Sequence, residues 1–291
     1  MKDFAGRTAV ITGAGSGFGR EFARIGARLG MKLVLGDIQR DALEATAAEL
    51  RAAGADVIGL VGDVSRAEDV AALADAAYER HGAVHLVFNN AGVGGAGGLV
   101  WESSEKDWQW VLGVNLWGVV HGVRTFVPRM LAQGGECHMV NTASVAGLLS
   151  PQLMGVYNTS KHAVVTLSET LYHDLRTVGA RMGVTVLCPA FVPTGIHQSE
   201  RNRPAPLQDD APPTASQLAA RRATERAVTS GKIDAADVAK MTFDAIRDER
   251  FYVVTHPKIL KSVELRMQDV LAQRNPTDPF TYKPDVAHQA Q

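Results

Sequence analysis

Tyr157 and Lys161 bracket the stretch "YNTSK". On a helix, residues four apart lie on one face, one above the other, so a phenol and an ammonium at this spacing can share one small space. A cation beside a phenol favours the phenolate and lowers its pKa. A tyrosine tuned that way can give and take a proton near neutral pH. The same pair also arises by chance on ordinary helix surfaces, so its meaning depends on the rest of the chain.

A second chemical signal lies near the start. "TGAGSGFG" (Thr12–Gly19) carries Gly13, Gly15, Gly17 and Gly19 between a strand pattern and a helix pattern. Glycines there allow a tight turn and a close approach of backbone to ligand. The helix behind them supplies unpaired N–H groups and a positive dipole end, with the uncharged Ser16 in the turn, which suits a pyrophosphate. Asp37, 18 residues after Gly19, ends the second strand pattern. A carboxylate there can accept both hydroxyls of an adenosine ribose and repel a 2′-phosphate. Arg40, close by, argues the other way. Asp63 and Val64 follow the third strand pattern, where an adenine could lie. Asp63 could equally cap the helix that begins near Arg66.

These residues need a scaffold, and the hydrophobic pattern describes it. The strand patterns are Thr8–Thr12, Lys32–Gly36, Asp56–Leu60, His85–Asn89, His138–Thr142, Gly183–Leu187 and Phe251–Val254. They are apolar at nearly every position, as in strands buried on both faces of a parallel sheet. Helical patterns such as Arg40–Ala53 and Arg66–Arg80 fill the gaps. The alternation predicts an α/β fold, a doubly wound, Rossmann-like parallel sheet of about seven strands with helices on both faces. Residues 1–274 read as one domain.

Two stretches depart from the pattern. Residues 193–231 hold five of the twelve prolines, many charges and no strand pattern, and read as a substrate lid or binding loop. Residues 256–274 read as one more amphipathic helix, and 275–291 as a flexible tail. Formal net charge is −1, with no basic excess, which argues against nucleic acid. No apolar run reaches the roughly 18 residues of a membrane span, and no leader pattern precedes the first strand. Cys137 and Cys188 stand far apart and read as buried thiols of a cytoplasmic protein. The nine histidines show no metal-ligand spacing.

With the glycine turn, "NNAG" (Asn89–Gly92), Asn115 in "GVNLWG", Ser144 in "NTASVAG" and "YNTSK", the chain resembles the short-chain dehydrogenase/reductase family over about residues 5–255. The resemblance implies an oxidoreductase that moves a hydride between a nicotinamide cofactor and an alcohol or ketone. Tyr157 is then the general acid/base, Lys161 holds the nicotinamide ribose and tunes the phenol, and Ser144 places the substrate oxygen. Asn115 holds a water that links Lys161 to solvent. Cofactor contacts are implied for Gly13, Ser16, Gly17, Phe18, Gly19, Asp37, Asp63, Val64, Asn90, Tyr157, Lys161, Val192 and Thr194. NAD is the expected cofactor because of Asp37, with NADP as the alternative. "CPAFVPT" (Cys188–Thr194) resembles the family's turn after strand six, with Ala190 where a glycine is usual.

The expected substrate pocket is apolar: Val93, Val145, Leu148, Leu153, Met154, Phe191 and Ile196. No Arg or Lys stands among them to fix a carboxylate. A hydrophobic, bulky or aromatic secondary alcohol or ketone fits best, with a small-molecule substrate and no nucleic-acid or membrane partner. Apolar residues on several sides of the helices over Asp107–Leu131 and Gly155–Val178 point to a homotetramer or homodimer. A nucleotide-binding sensor that has lost its chemistry is the rival, and it would lack part of the Asn-Ser-Tyr-Lys set.

Overall fold

In a computed structural model, described here for residues 1–281, seven strands form one parallel sheet in the order β3-β2-β1-β4-β5-β6-β7. They are β1 (Thr8–Thr12), β2 (Lys32–Asp37), β3 (Val57–Val61), β4 (Leu86–Asn89), β5 (Cys137–Thr142), β6 (Met182–Cys188) and β7 (Tyr252–Val254). β1, β4 and β5 are buried at every position, which is why their sequences do not alternate. The helices are α1 (Gly17–Arg28), α2 (Arg40–Ala52), α3 (Ala67–His81), α4 (Glu105–Leu112), α5 (Gly118–Gln133), α6 (Gly155–Thr177), α7 (Ala215–Thr229), α8 (Ala235–Arg247) and α9 (Leu260–Leu271).

Two layers of apolar packing cover the sheet. On one face Phe22 stacks on Phe88 at 4.4 Å, and Phe243 of α8 packs against both Phe88 and Phe4. On the other, Val70, Leu73 and Ala77 of α3 join Phe126 and Met130 of α5 over Val10, Val34 and Met139. The chain leaves β3 at one edge and returns to β4 beside β1. Strand order therefore reverses between β1 and β4, and a crevice opens at their C-terminal ends.

Three parts differ from the sequence reading. Asp107–Leu131 is not one helix: α4 and α5 are joined by a π-helical turn, Gly113–Trp117, with Asn115 fully buried inside it. Residues 193–231, expected as a lid or binding loop, carry helical structure the sequence reading did not describe. They hold two 3-10 turns, Gly195–Asn202 and Ala205–Leu207, and then α7, which a Thr214–Gln217 capping box starts.

The third difference is at the end. The expected flexible tail began at residue 275, yet 275–281 folds back on the body; residues 282–291 lie outside the described part. Asp269 is 4% exposed and accepts hydrogen bonds from Arg274 Nη2 and the Thr277 N–H, each at 2.9 Å.

Candidate active site

The crevice at the strand ends is a cleft of about 280 Å³. Gly13, Ser16, Gly17, Phe18, Asp37, Asp63, Val64, Asn90, Ser144, Tyr157, Lys161, Val192 and Thr194 all line it. Gly19 and Asn115 are buried behind its wall.

The phosphate turn is shaped by contacts that only glycine permits. Gly13 has φ +66°, and a Cβ there would lie 2.9 Å from Ala91 Cα. A Cβ on Gly19 would strike the Gly13 carbonyl oxygen. Thr12 ties this turn to the end of β4: its Oγ1 accepts the N–H groups of Asn90 and Ala91 at 2.9 and 3.1 Å. Asn90 returns a bond from Nδ2 to the Thr12 carbonyl at 3.0 Å. Asp37 reaches back from β2, with Oδ2 accepting from Gly15 N–H and Oδ1 from Gln39 N–H. Asp63 does not cap α3, whose N-cap is Arg66; its Oδ1 accepts the Ser65 N–H and it faces the cleft. Thr194 closes the other side, its Cβ 3.5 Å from where a Cβ on Gly17 would sit. Ala190 keeps an ordinary backbone conformation, so the missing glycine costs nothing there.

Asn115 is held on both sides. Its Oδ1 accepts the Val93 N–H at 2.8 Å, and its Nδ2 donates to the Val93 carbonyl at 3.0 Å and to Ser160 Oγ at 3.1 Å. Both N–H donors of the side chain are thus used within the protein. The π turn that presents this residue is a common device near functional sites.

Ser144, at the end of β5, caps a short 3-10 turn by accepting the Ala146 N–H at 3.1 Å. Tyr157 and Lys161 project from the first turns of α6 into the same space. Lys161 is 2% exposed, and its Nζ donates to the Thr142 carbonyl at 2.9 Å. The ammonium sits over the Tyr157 ring, 5.7 Å from its centroid. The expected lowering of the phenol pKa does not follow from this arrangement. Burial pushes the Tyr157 phenol up to about 12, with the Ser144 hydroxyl pulling the other way, and burial lowers Lys161 to about 8. A low-dielectric pocket disfavours the charged form of both groups.

Of the expected substrate pocket, Val93, Val145, Leu153, Met154, Phe191 and Ile196 line the cleft. Leu148 does not. It packs with Val119, Ala143 and Val164, and its neighbour Leu149 faces the cleft instead. Leu153 takes φ 63°, unusual for a branched residue, to point its carbonyl at the Gly98 N–H. Trp110, Val228, Ile259, Pro279 and Phe280 also line the cleft and were not anticipated. Arg201 and Arg221 reach it too, so the cleft has cations that the residues flanking the tyrosine did not suggest. Among the described residues, no group of three His, Cys, Asp or Glu side chains could hold a metal, and no helix is long and apolar enough to cross a membrane.

The segment after β6 is latched over this space. Arg203, with a side chain 4% exposed, donates to Asp107 Oδ1 at 2.8 Å, Asp209 Oδ2 at 3.0 Å and the Leu207 carbonyl at 2.6 Å. Its guanidinium also lies 5.3 Å from the Trp110 ring centroid. The charged stretch around Asp209 is thus partly drawn into the structure rather than left in solvent. Ser199 Oγ accepts the Gly94 N–H, and Ser216 Oγ accepts the Leu99 N–H while bonding Glu102.

The sequence matches the short chain dehydrogenase family over residues 7–205. It is 34% identical over 280 residues to a CLA biosynthesis dehydrogenase/reductase of Lactiplantibacillus plantarum, covering 95% of this chain and 97% of that protein. It is 35% identical over 264 residues to a 1-deoxy-11-beta-hydroxypentalenate dehydrogenase of Streptomyces exfoliatus, covering 90% and 86%. A crystal structure of a short chain dehydrogenase/reductase from Burkholderia phymatum in complex with NAD superposes with a TM-score of 0.94 at 63% identity, covering 96% of this chain and 99% of that one. By matched sequence and by shared architecture, the chain belongs to the short-chain dehydrogenase/reductase family of oxidoreductases.

Proposed function

We propose that this protein interconverts a hydrophobic secondary alcohol and its ketone with NAD(H), using Tyr157 as the general acid/base. The observation that carries this reading is the meeting of Ser144, Tyr157 and Lys161 in one cleft with the Gly13–Gly19 turn and Asp37. The turn fits a dinucleotide diphosphate: its glycines leave room that any Cβ would fill, and α1 points its N-terminus there. Asp37 supports NAD over NADP, because its carboxylate would meet ribose hydroxyls and repel a 2′-phosphate. The Burkholderia relative crystallised with NAD supports the same choice.

When bound, the nicotinamide supplies or accepts the hydride. Every proton is handled by the chain. In ketone reduction, Tyr157 donates its phenolic proton to the carbonyl oxygen while Ser144 holds that oxygen by a hydrogen bond. The ammonium of Lys161 stabilises the phenolate left behind. In alcohol oxidation the phenolate takes the hydroxyl proton back. A neutral phenol at pH 7, as burial dictates, is poised for the donating role. Asn115 fixes the loop after β4 and leaves its carbonyl to hold a water on the Lys161 side. The apolar lining by Val93, Leu149, Leu153, Met154 and Ile196 supports a hydrophobic substrate. The half-exposed Trp117 on the π turn supports assembly into a homodimer or homotetramer.

The test is turnover of a panel of hydrophobic ketones with NADH and with NADPH. NADH-dependent reduction, with kcat/KM higher than for NADPH, is expected. NADH binding without turnover of any ketone or alcohol would leave a nucleotide-binding sensor as the better reading.

A further inference from the structure

The family match ends at residue 205, yet the cleft is lined beyond it by Val228, Ile259, Pro279 and Phe280. These come from α7, the turn before α9, and the segment after α9. The last of these is held in place by defined bonds. Asp269, near the end of α9, uses both carboxylate oxygens to hold Arg274 and Thr277. A tight turn follows: Thr281 N–H donates to the Asp278 carbonyl at 3.1 Å, and Phe280 N–H to Asp278 Oδ1 at 2.9 Å. Proline at the second position of such a turn presets its backbone. Residues 275–278 are exposed, whereas Pro279 and Phe280 turn inward and are half-buried.

We infer that residues 269–281 form the outer wall of the substrate site, with Phe280 the specificity-determining residue for the far end of a bulky aryl or polycyclic ketone and Asp269 its positioning residue. This rests on the substrate reading above. A ring presented by a tethered turn recognises apolar bulk through burial and edge or face packing, and Trp110 and Phe191 offer further aromatic surface in the same cleft. A short ketone, confined beside Ser144 and Tyr157, would not reach Phe280. The wall therefore discriminates by size without touching the reacting oxygen.

The test measures binding rather than turnover. A two-ring aryl ketone and a short methyl ketone are titrated by calorimetry into the protein saturated with NAD+. Phe280→Ala should weaken the aryl ketone about tenfold, the loss of roughly 1.4 kcal/mol of ring burial. The short ketone should change less than about twofold, and NAD+ affinity should stay unchanged. Asp269→Ala should give the same selective loss although the carboxylate itself lies on α9. Thr277→Pro, at an exposed position, removes one of the two tether bonds without threatening the core and should act in the same direction. The Phe280→Ala/Asp269→Ala double variant should lose no more than either single one. Equal effects on both ketones, unchanged aryl-ketone affinity in Phe280→Ala, or no binding of the aryl ketone by the wild-type protein would overturn the inference. Selective binding by a protein that reduces none of these ketones when NADH is supplied would overturn the oxidoreductase reading and leave this wall standing.

Discussion

The two ends of the cleft are built by different means. At the dinucleotide end, short turns at the tips of β1, β2 and β4 hold one another through backbone groups, with Thr12, Asp37 and Asn90 as the links. At the outer end, side chains do the fastening: Arg203 to Asp107 and Ser216 to the loop after β4 across distant stretches of sequence, and Asp269 to the segment just after its helix. Tight turns closed by glycine contacts tolerate almost no change of atom count. Tethered walls can change their lining residues while the tethers stay. The first kind of construction suits a ligand that never varies, and the second suits one that does.

Four experiments set the two ends, and the chemistry between them, against each other. Tyr157→Phe should show the largest effect, a fall in kcat of about 10³-fold, within the range for loss of a general acid. NADH affinity should be retained, as fluorescence titration would show; near-normal turnover would mean the proton comes from elsewhere. Arg203→Met comes next. It strands the buried carboxylate of Asp107 and should cost about 3 kcal/mol of stability, read as a lower urea midpoint. It should also weaken ketone binding more than NADH binding, and equal weakening of the two would contradict the division drawn here.

Gly19→Ala tests the opposite end. The new methyl collides with the Gly13 carbonyl oxygen, so NADH affinity should drop on the order of tenfold or more, with ketone selectivity unchanged. Near neutrality the smallest of the four effects is in the pH profile. Lys161 is lowered to about 8 by burial, so its charged form is present below that pH and is lost above it. In the proposed mechanism the ammonium stabilises the phenolate that reduction generates. Reduction kcat/KM should therefore be flat below about pH 8 and decline by up to tenfold per unit above it. A profile still level at pH 10 would remove Lys161 from the mechanism.

The same division explains what could be read from sequence. β1 and β5 are apolar throughout because both faces are covered, and their limits follow within a residue or so from that run alone. The glycine turn, Asp37, Asn90, Ser144, Tyr157 and Lys161 converge because strand ends in a parallel sheet all point to one edge. The π turn escaped detection because it inserts one residue into a helix whose apolar pattern continues on both sides. Leu148 and Leu149 exchange roles because a 3-10 turn, not a helix, sets their faces. Phe280 was hidden in a polar, proline-containing stretch that resembles an unstructured end. Its signal was local and present: Asp278 followed by Pro279 is a turn opening. What sequence did not carry was the buried Asp269 that anchors the turn, since a carboxylate on an amphipathic helix reads as a surface group. For Tyr157, spacing reports the neighbouring cation, but not the depth of burial that opposes it.

The double bond between Asn115 and the backbone of Val93 has a mechanical consequence. It pins the strand-end loop to the helix layer at a point where neither can slide past the other. Beyond that pin the chain runs through Gly94 and Gly95 to a second anchorage, where Leu99 is held by Ser216 of α7. Between them Gly94 is bonded to Ser199 and Gly98 to the Leu153 carbonyl, so the loop is tied at several points along its length. The strand-end loop therefore couples the roof over the cleft to the helix layer that carries Asn115.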